Sequence, residues 1–180
     1  IALLDSDDSF TKDSLEKKIS AAKKNDNIDF IYSDAFINYE NGMETKRREK
    51  NFKEVYHGFH SGIIFENLID KNFIPTTTVF CKKYLFEKFG FFNENIIVAE
   101  DYDLWLRFAV NKCNFFYIDE CLSYYSVRST SLSGDQIRMN LQLIEILKSL
   151  YAFNISKNIE RKISERIGNI YFINTVLEIF

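Results

Sequence analysis

Residues 1–10 read IALLDSDDSF, four apolar side chains followed by three acids in four positions, Asp5, Asp7 and Asp8. A run of four apolar residues matches a strand covered on both faces, as in a parallel sheet, and such sheets bind ligands beyond the carboxyl ends of their strands. The acids stand at that end. The same letters also fit a strand followed by a polar turn with no further role.

The chain has 180 residues, 46% of them hydrophobic and 16% aromatic, which is enough for one sizeable core. A net charge of −3 gives no reason to expect a nucleic acid as partner. The run Lys46-Arg47-Arg48 is broken by Glu49 and reads as a solvated loop. Cys81, Cys113 and Cys121 are odd in number, lack CxxC spacing and sit among apolar residues, so they read as core thiols of a reducing compartment. No apolar run approaches the roughly 18 residues of a membrane span, and no signal peptide is visible. The expected location is the cytoplasm, with peripheral association at the inner face of the cell membrane left open. Because residue 1 falls inside a strand pattern and Phe180 inside a helical one, the chain is expected to be a piece of a longer protein.

Leu15, Ile19 and Ala22 recur at helical spacing and predict a helix over about 12–24 with that face buried, ended by Asn25-Asp26-Asn27. DFIYSD (29–34) predicts a short strand ending in Asp34, and Asn41-Gly42 is a strong hairpin signal. A short helix over 61–70, a strand at TTTVFC (76–81) and a helix at KKYLFEKFG (82–90) stopped by Gly90 follow. Next come a helix over about 100–112 and two strands, NFFYID (114–119) and LSYYSV (122–127). The order is α/β with a mixed sheet. From Asp135 onward the pattern is helical, with Ile137, Leu141, Ile144 and Leu147 on one face and a second, charged helix from Lys157. The expected division is 1–133 and a helical extension at 134–180.

The second informative stretch is VAEDYDLWLRFAV (98–110). At about 100° per residue, Asp101, Trp105 and Phe108 share one face, while Asp103, Arg107 and Asn111 form a solvated stripe with an i, i+4 ion pair. Acids in a first turn interact favourably with the helix dipole, which accounts for one of Glu100 and Asp101 more readily than for both. A carboxylate directed inward beside a like charge has a raised pKa, as a general base near neutrality requires. Capping and base remain open alternatives on this stretch alone. The two distant acid clusters suit one site: a DxD after a strand can hold a divalent ion that shares its shell with substrate phosphates, and the Glu-Asp pair can activate an attacking hydroxyl.

LLDSDDSFTKDSLEKKI (3–19) and TTTVFCKKYLFEKFGFFNENIIVAEDYDLWLRFA (76–109), with the spacing between them, resemble the corresponding segments of family 2 glycosyltransferases over about 1–133. The resemblance implies a GT-A fold, a Rossmann-like mixed sheet with flanking helices, here without the N-terminal nucleotide-binding strands and followed by a C-terminal helical segment. It implies that 1–133 is the metal- and acceptor-binding portion of an inverting enzyme using Mg²⁺ or Mn²⁺. The implied partners are a nucleotide-sugar donor and a glycan, lipid-linked or protein acceptor. By position, Asp7 is the implied metal ligand and Asp5 a contact to the donor's ribose or the metal's surroundings. Asp101 is the implied base, with Glu100 shaping the acceptor site and Trp105 contacting the acceptor. Asp8 reads as a turn acid. Near the end of the likeness, YSVRSTSLS (125–133) matches the family at Tyr125, Ser131 and Ser133, but Ser126 replaces arginine and Arg128 stands at a histidine position. Arginine cannot ligate a metal but can pair with the donor's phosphate oxygens. His57 and His60 read as loop histidines.

Two other classes share parts of this pattern. A haloacid-dehalogenase-like phosphatase would use Asp5 as nucleophile and Asp7 as general acid, with Glu100 and Asp103 on Mg²⁺. Against it, Ser9 is a weak substitute for the threonine or valine of that signature, and 100–110 is helical. Alternatively, the chain by itself is a non-catalytic fragment.

Overall fold

The computed structural model describes residues 1–39, 46–47, 60–127 and 136–179. In chain order the elements are β1 (Ser9–Phe10), α1 (Ser14–Lys24), β2 (Phe30–Tyr39), β3 (Lys46–Arg47), α2 (Phe65–Asp70), β4 (Phe80–Cys81), α3 (Tyr84–Phe89), α4 (Glu100–Val110), β5 (Phe115–Val127), α5 (Gln136–Ser149) and α6 (Lys157–Ile179). The sheet runs β1-β5-β2-β3, with β4 also on β2. It is mixed: β2 and β5 are parallel, and β1–β5, β2–β3 and β2–β4 are antiparallel. Pairing of Phe36 with Arg47 agrees with the excursion expected at Asn41-Gly42, although the turn itself lies outside the described residues.

β2 and β5 are longer than expected, and the expected pair of strands at 114–119 and 122–127 is one strand. β2 continues through Asp34, and register shifts on either side of Asp34 take up the extra residues between Ile118 and Ser123. A bulge absorbs a polar interruption that looks like a strand end. At 76–81 the expected strand shrinks to Phe80–Cys81, because Thr76–Thr78 form a 3₁₀ turn after Pro75. There the Thr78 hydroxyl donates to Pro75 O at 2.7 Å, a local bond that competes with ladder pairing.

The opening segment is not a strand covered on both faces. Ala2 bridges Phe80 in antiparallel sense, Cys81 N–H donates to Ile1 O, and the Ile1 and Leu4 side chains are exposed. The acids form a turn closed by Asp8 N–H on Asp5 O at 3.1 Å.

Helix α1 forms where predicted but presents a different face. Leu15 and Ile19 are 44% and 41% exposed, while Ser14 and Lys18 are fully buried. Its rotation is set at its start, where Thr11 N–H donates to Leu122 O of β5 and Ser14 N–H to Thr11 O. That anchoring turns the Ser14–Lys18 stripe inward whatever its polarity.

Phe30, Trp105, Phe108 and Phe115 make the centre of the core, with Phe30 rings 4.8 Å from Trp105 and 4.5 Å from Phe115. Ile144 and Leu147 of α5 and Ile163 and Ile170 of α6 join the same buried cluster. On α5 the inward face differs from the expected one at Leu141, which is exposed, and at Asn140, which is buried. Asn140 is satisfied there by a 2.7 Å hydrogen bond to Asn174 of α6. Helix α3 ends at Gly90, whose φ of +88° suits glycine. Cys81 and Cys113 are buried free thiols pushed up to about 12 by burial.

Candidate active site

The chain enters α4 through Ala99, which holds φ +64°. A non-glycine residue in that region is uncommon and costs energy that the surroundings must hold in place. Immediately after it, Glu100 is exposed and the Asp101 carboxylate turns back against its own helix and across to a second segment. Tyr102 N–H donates to Asp101 Oδ1 at 2.6 Å, Thr76 Oγ1 donates to Oδ2 at 3.1 Å, and Asn72 Nδ2 lies 3.4 Å from both oxygens. The first bond satisfies a backbone N–H within the helix's own first turn; those from Thr76 and Asn72 reach Asp101 from outside the helix. Burial pushes the carboxyl up to about 6, opposed by the Thr76 hydroxyl and assisted by Glu100.

Asn72 also accepts Ile74 N–H at 3.1 Å, so one amide both shapes the loop before Pro75 and points donors at Asp101. The Tyr102 hydroxyl donates to Leu68 O and ties α4 to α2. Below them Asp103 and Arg107 pair at 2.9 Å, as the i, i+4 spacing predicts. They do not form a solvated stripe. Asp103 is buried, and Arg107 donates to Phe89 O and Phe91 O at 2.7 Å each, clamping the loop that leads to Ala99. This occupation of Asp103 also removes it from the metal set that a phosphatase of the haloacid-dehalogenase type would need.

Asp101 and Glu100 line a cavity of about 670 Å³ together with Asp5, Tyr125 and residues of α5 and α6. This brings the two acid clusters, about a hundred residues apart in sequence, to one opening. The acid turn is held there by Ser126: its N–H donates to Asp8 Oδ1 at 2.8 Å and its hydroxyl to Asp7 O at 2.6 Å. Asp5 is raised by burial and then by Asp7. Asp8 is pushed up to about 6, chiefly by burial, with the Ser126 N–H opposing and Asp5 and Asp7 adding to the rise. The nearby Thr77 hydroxyl also opposes it, although Thr77 Oγ1 and Asp8 Oδ2 are both buried without reaching hydrogen-bond geometry. Asp7 is exposed and is not among the cavity-lining residues.

Trp105 is fully buried against Phe30, Phe92 and Phe108 and supports α4 from within the core, away from the cavity. Arg128 and His57 lie outside the described residues. His60 packs on Phe73, and its N–H donates to the Tyr32 hydroxyl.

Among the described residues no three His, Cys, Asp or Glu side chains are grouped to hold a metal ion. Asp5 and Asp7 are nonetheless close enough to interact electrically. Two carboxylates fit a hard divalent cation that completes its shell with phosphate oxygens and water. Thr76 and Asn72 carry no periodic or motif signal that marks them as site residues, and only the Asn-x-x-Pro-Thr run hints at an ordered turn; Ser126 stands at a motif position, but as a departure from its arginine, which does not foretell its bonds to the acid turn.

The mixed sheet with flanking helices is of the GT-A type, as its likeness to the solved structure below shows, and the carboxylate-lined cavity lies at the end of its long parallel pair. The model of the family described as "Glycosyl transferase family group 2" matches residues 1–163. An uncharacterized glycosyltransferase of Methanocaldococcus jannaschii is 26% identical over 175 residues, covering 96% of this chain and 54% of that protein. One from Rickettsia felis is 32% identical over 147 residues, covering 81% of this chain and 23% of that protein. The crystal structure of S. aureus TarS superposes with a TM-score of 0.59 at 14% identity, covering 95% of this chain and 28% of TarS. The chain belongs to glycosyltransferase family 2. It spans about half the length of the archaeal relative and about a quarter of the rickettsial one. Among the described residues no helix is long and apolar enough to cross a membrane.

Proposed function

We propose that this chain supplies the metal and acceptor side of an inverting glycosyltransferase, which moves a sugar from a nucleotide-diphosphate donor to a hydroxyl of a glycan, lipid-linked or protein acceptor. The observation that carries this reading is Asp101: a carboxyl pushed up to about 6, oriented by Thr76 and Asn72, on the same cavity as Asp5. A base poised near neutrality takes a proton efficiently, provided it lies within hydrogen-bond reach of it.

In this mechanism the acceptor oxygen attacks the anomeric carbon while the bond from that carbon to the donor's diphosphate breaks, and the hydroxyl proton passes to Asp101. A single displacement inverts the anomeric centre. Thr76 and Asn72 hold the carboxylate in one orientation, and Ala99 fixes the angle at which α4 presents it. Glu100, beside it at the rim, shapes the acceptor's approach and keeps the Asp101 carboxyl raised. Asp5 and Asp7 would hold Mg²⁺ or Mn²⁺, which when bound neutralises charge on the diphosphate. Arg128 is a candidate second contact to those phosphates.

In the natural full-length protein, Asp101→Asn lowers transfer by about 10²-fold or more and leaves donor binding nearly unchanged. Transfer at the wild-type rate by that variant would remove Asp101 as the base.

A further inference from the structure

Three cations stand between positions 161 and 166 on α6, and two of them have carboxylate partners: Arg161 pairs with Glu165 at 3.7 Å and Lys162 with Asp70 at 2.8 Å. Arg166, the third, has no hydrogen-bond or ion-pair partner among the described residues. It is half-buried, sits one turn before Ile170 on the stripe that faces α5, and lines the same cavity as Asp101. Lys71 lines that cavity too. The charge of Arg166 reaches the Tyr102 phenol, next in sequence to the base. Arg166 also lies beyond residue 163, where the family match ends.

The lining is thus of both signs, with Asp5, Glu100 and Asp101 on one hand and Lys71 and Arg166 on the other. A neutral sugar satisfies a base with its hydroxyl but leaves the half-buried Arg166 guanidinium, which also borders a second cavity beside Glu66, Asp70 and Glu165, without a directly paired anion. A planar guanidinium offers paired N–H donors that match the two oxygens of a carboxylate or phosphate. We propose that Arg166 selects an acceptor carrying an anionic oxygen group, a phosphate or a carboxylate, beside the hydroxyl that reacts. This rests on assigning the cavity to the acceptor.

The test is binding to the full-length protein, followed by ligand-observed NMR, of glucose, glucose 6-phosphate and glucuronate, three hexoses that differ in charge at one carbon. At least one anionic hexose should bind about tenfold or more tightly than glucose, and the tighter of the two identifies the anion. Raising the salt concentration should erode that preference. Arg166→Gln should abolish it, Arg166→Lys should keep part of it, and Arg161→Gln, which alters the neighbouring paired cation, should leave it intact. Equal binding of the three hexoses by the wild type, or a preference that survives Arg166→Gln, overturns the proposal. So does an equal loss of nucleoside diphosphate binding in Arg166→Gln, which would place the guanidinium on the donor. If Arg166→Gln does not fold, the lysine variant and the salt titration decide. Because the readout needs no turnover, its failure leaves the role of Asp101 standing, whereas an inert Asp101→Asn result would not explain a charge preference.

Discussion

Thr76 donates its hydroxyl to Asp101 Oδ2 at 3.1 Å across a separation of 25 residues. The bond joins a 3₁₀ turn to the first turn of α4, and it stabilises the charged form of a carboxyl that burial otherwise raises. Thr76 is therefore a positioning residue that also tunes the proton affinity of the proposed base.

Replacing Thr76 by valine keeps the shape and removes the donor. The Asp101 pKa should rise above its value of about 6, so the acid limb of the pH–rate profile moves to higher pH and transfer at pH 6 falls by about tenfold. Thr76→Ser should restore the wild-type profile. A profile that stays in place in Thr76→Val would show that the hydroxyl does not act on the base.

Asp8 and Asp101 are both pushed up to about 6 from an ordinary value of 3.8. The folded state thus binds more protons than the unfolded chain between those pH values, and the contribution of these groups to stability is fully present below about pH 4 and lost as pH rises through about 6. Denaturant melts should show stability falling across that window, and the double variant Asp8→Asn/Asp101→Asn should flatten the fall. An unchanged slope would mean that neither group titrates differently on folding.

For the acid turn, Asp5→Asn and Asp7→Asn should each weaken Mn²⁺-dependent binding of a nucleoside diphosphate by about 10²-fold in the full-length protein, since an amide is a poor replacement for an anionic ligand. Asp8→Asn should do much less, because Asp8 Oδ1 is engaged with the Ser126 N–H. Calorimetric titration with and without the metal separates these outcomes, and equal losses at all three positions would count against the assignment.

Lys18 is fully buried, its ammonium without a hydrogen-bond partner among the described residues and 4.8 Å from the centre of the Phe10 ring. Burial pushes it down to about 8, below its ordinary 10.5, so the unfolded chain binds more protons between those values and stability should rise as pH increases from about 8 to about 10.5. Lys18→Met should remove that rise and stabilise the fold near neutrality by roughly 2 kcal/mol, the cation–π contact offsetting part of the gain. Destabilisation by this change would indicate that the buried charge is matched by a group that satisfies it.

Much of the framework follows from sequence because its causes are local. The start of α4 at Glu100-Asp101, the stop of α3 at Gly90, the acid turn and the antiparallel excursion after β2 each depend on residues within a few positions of one another, through dipole, left-handed backbone, hydrogen-bonded turn or hairpin chemistry. The inward rotation of α1 onto Lys18 depends instead on Thr11 meeting Leu122, 111 residues away. The meeting of the acid turn with β5 depends on Ser126, 118 residues from Asp8. Trp105 shares a helical face with Asp101 yet lies in the core, because periodicity specifies which residues share a side and packing specifies what that side touches. Likewise Asp103 and Arg107 form the ion pair their spacing allows, but only the loop folded over them makes it a buried clamp. The sequence by itself determined which carboxylates were available and the helix that carries one of them; the tertiary structure decided their partners, burial and shared cavity, since these arise from contacts between segments with no local relation to each other.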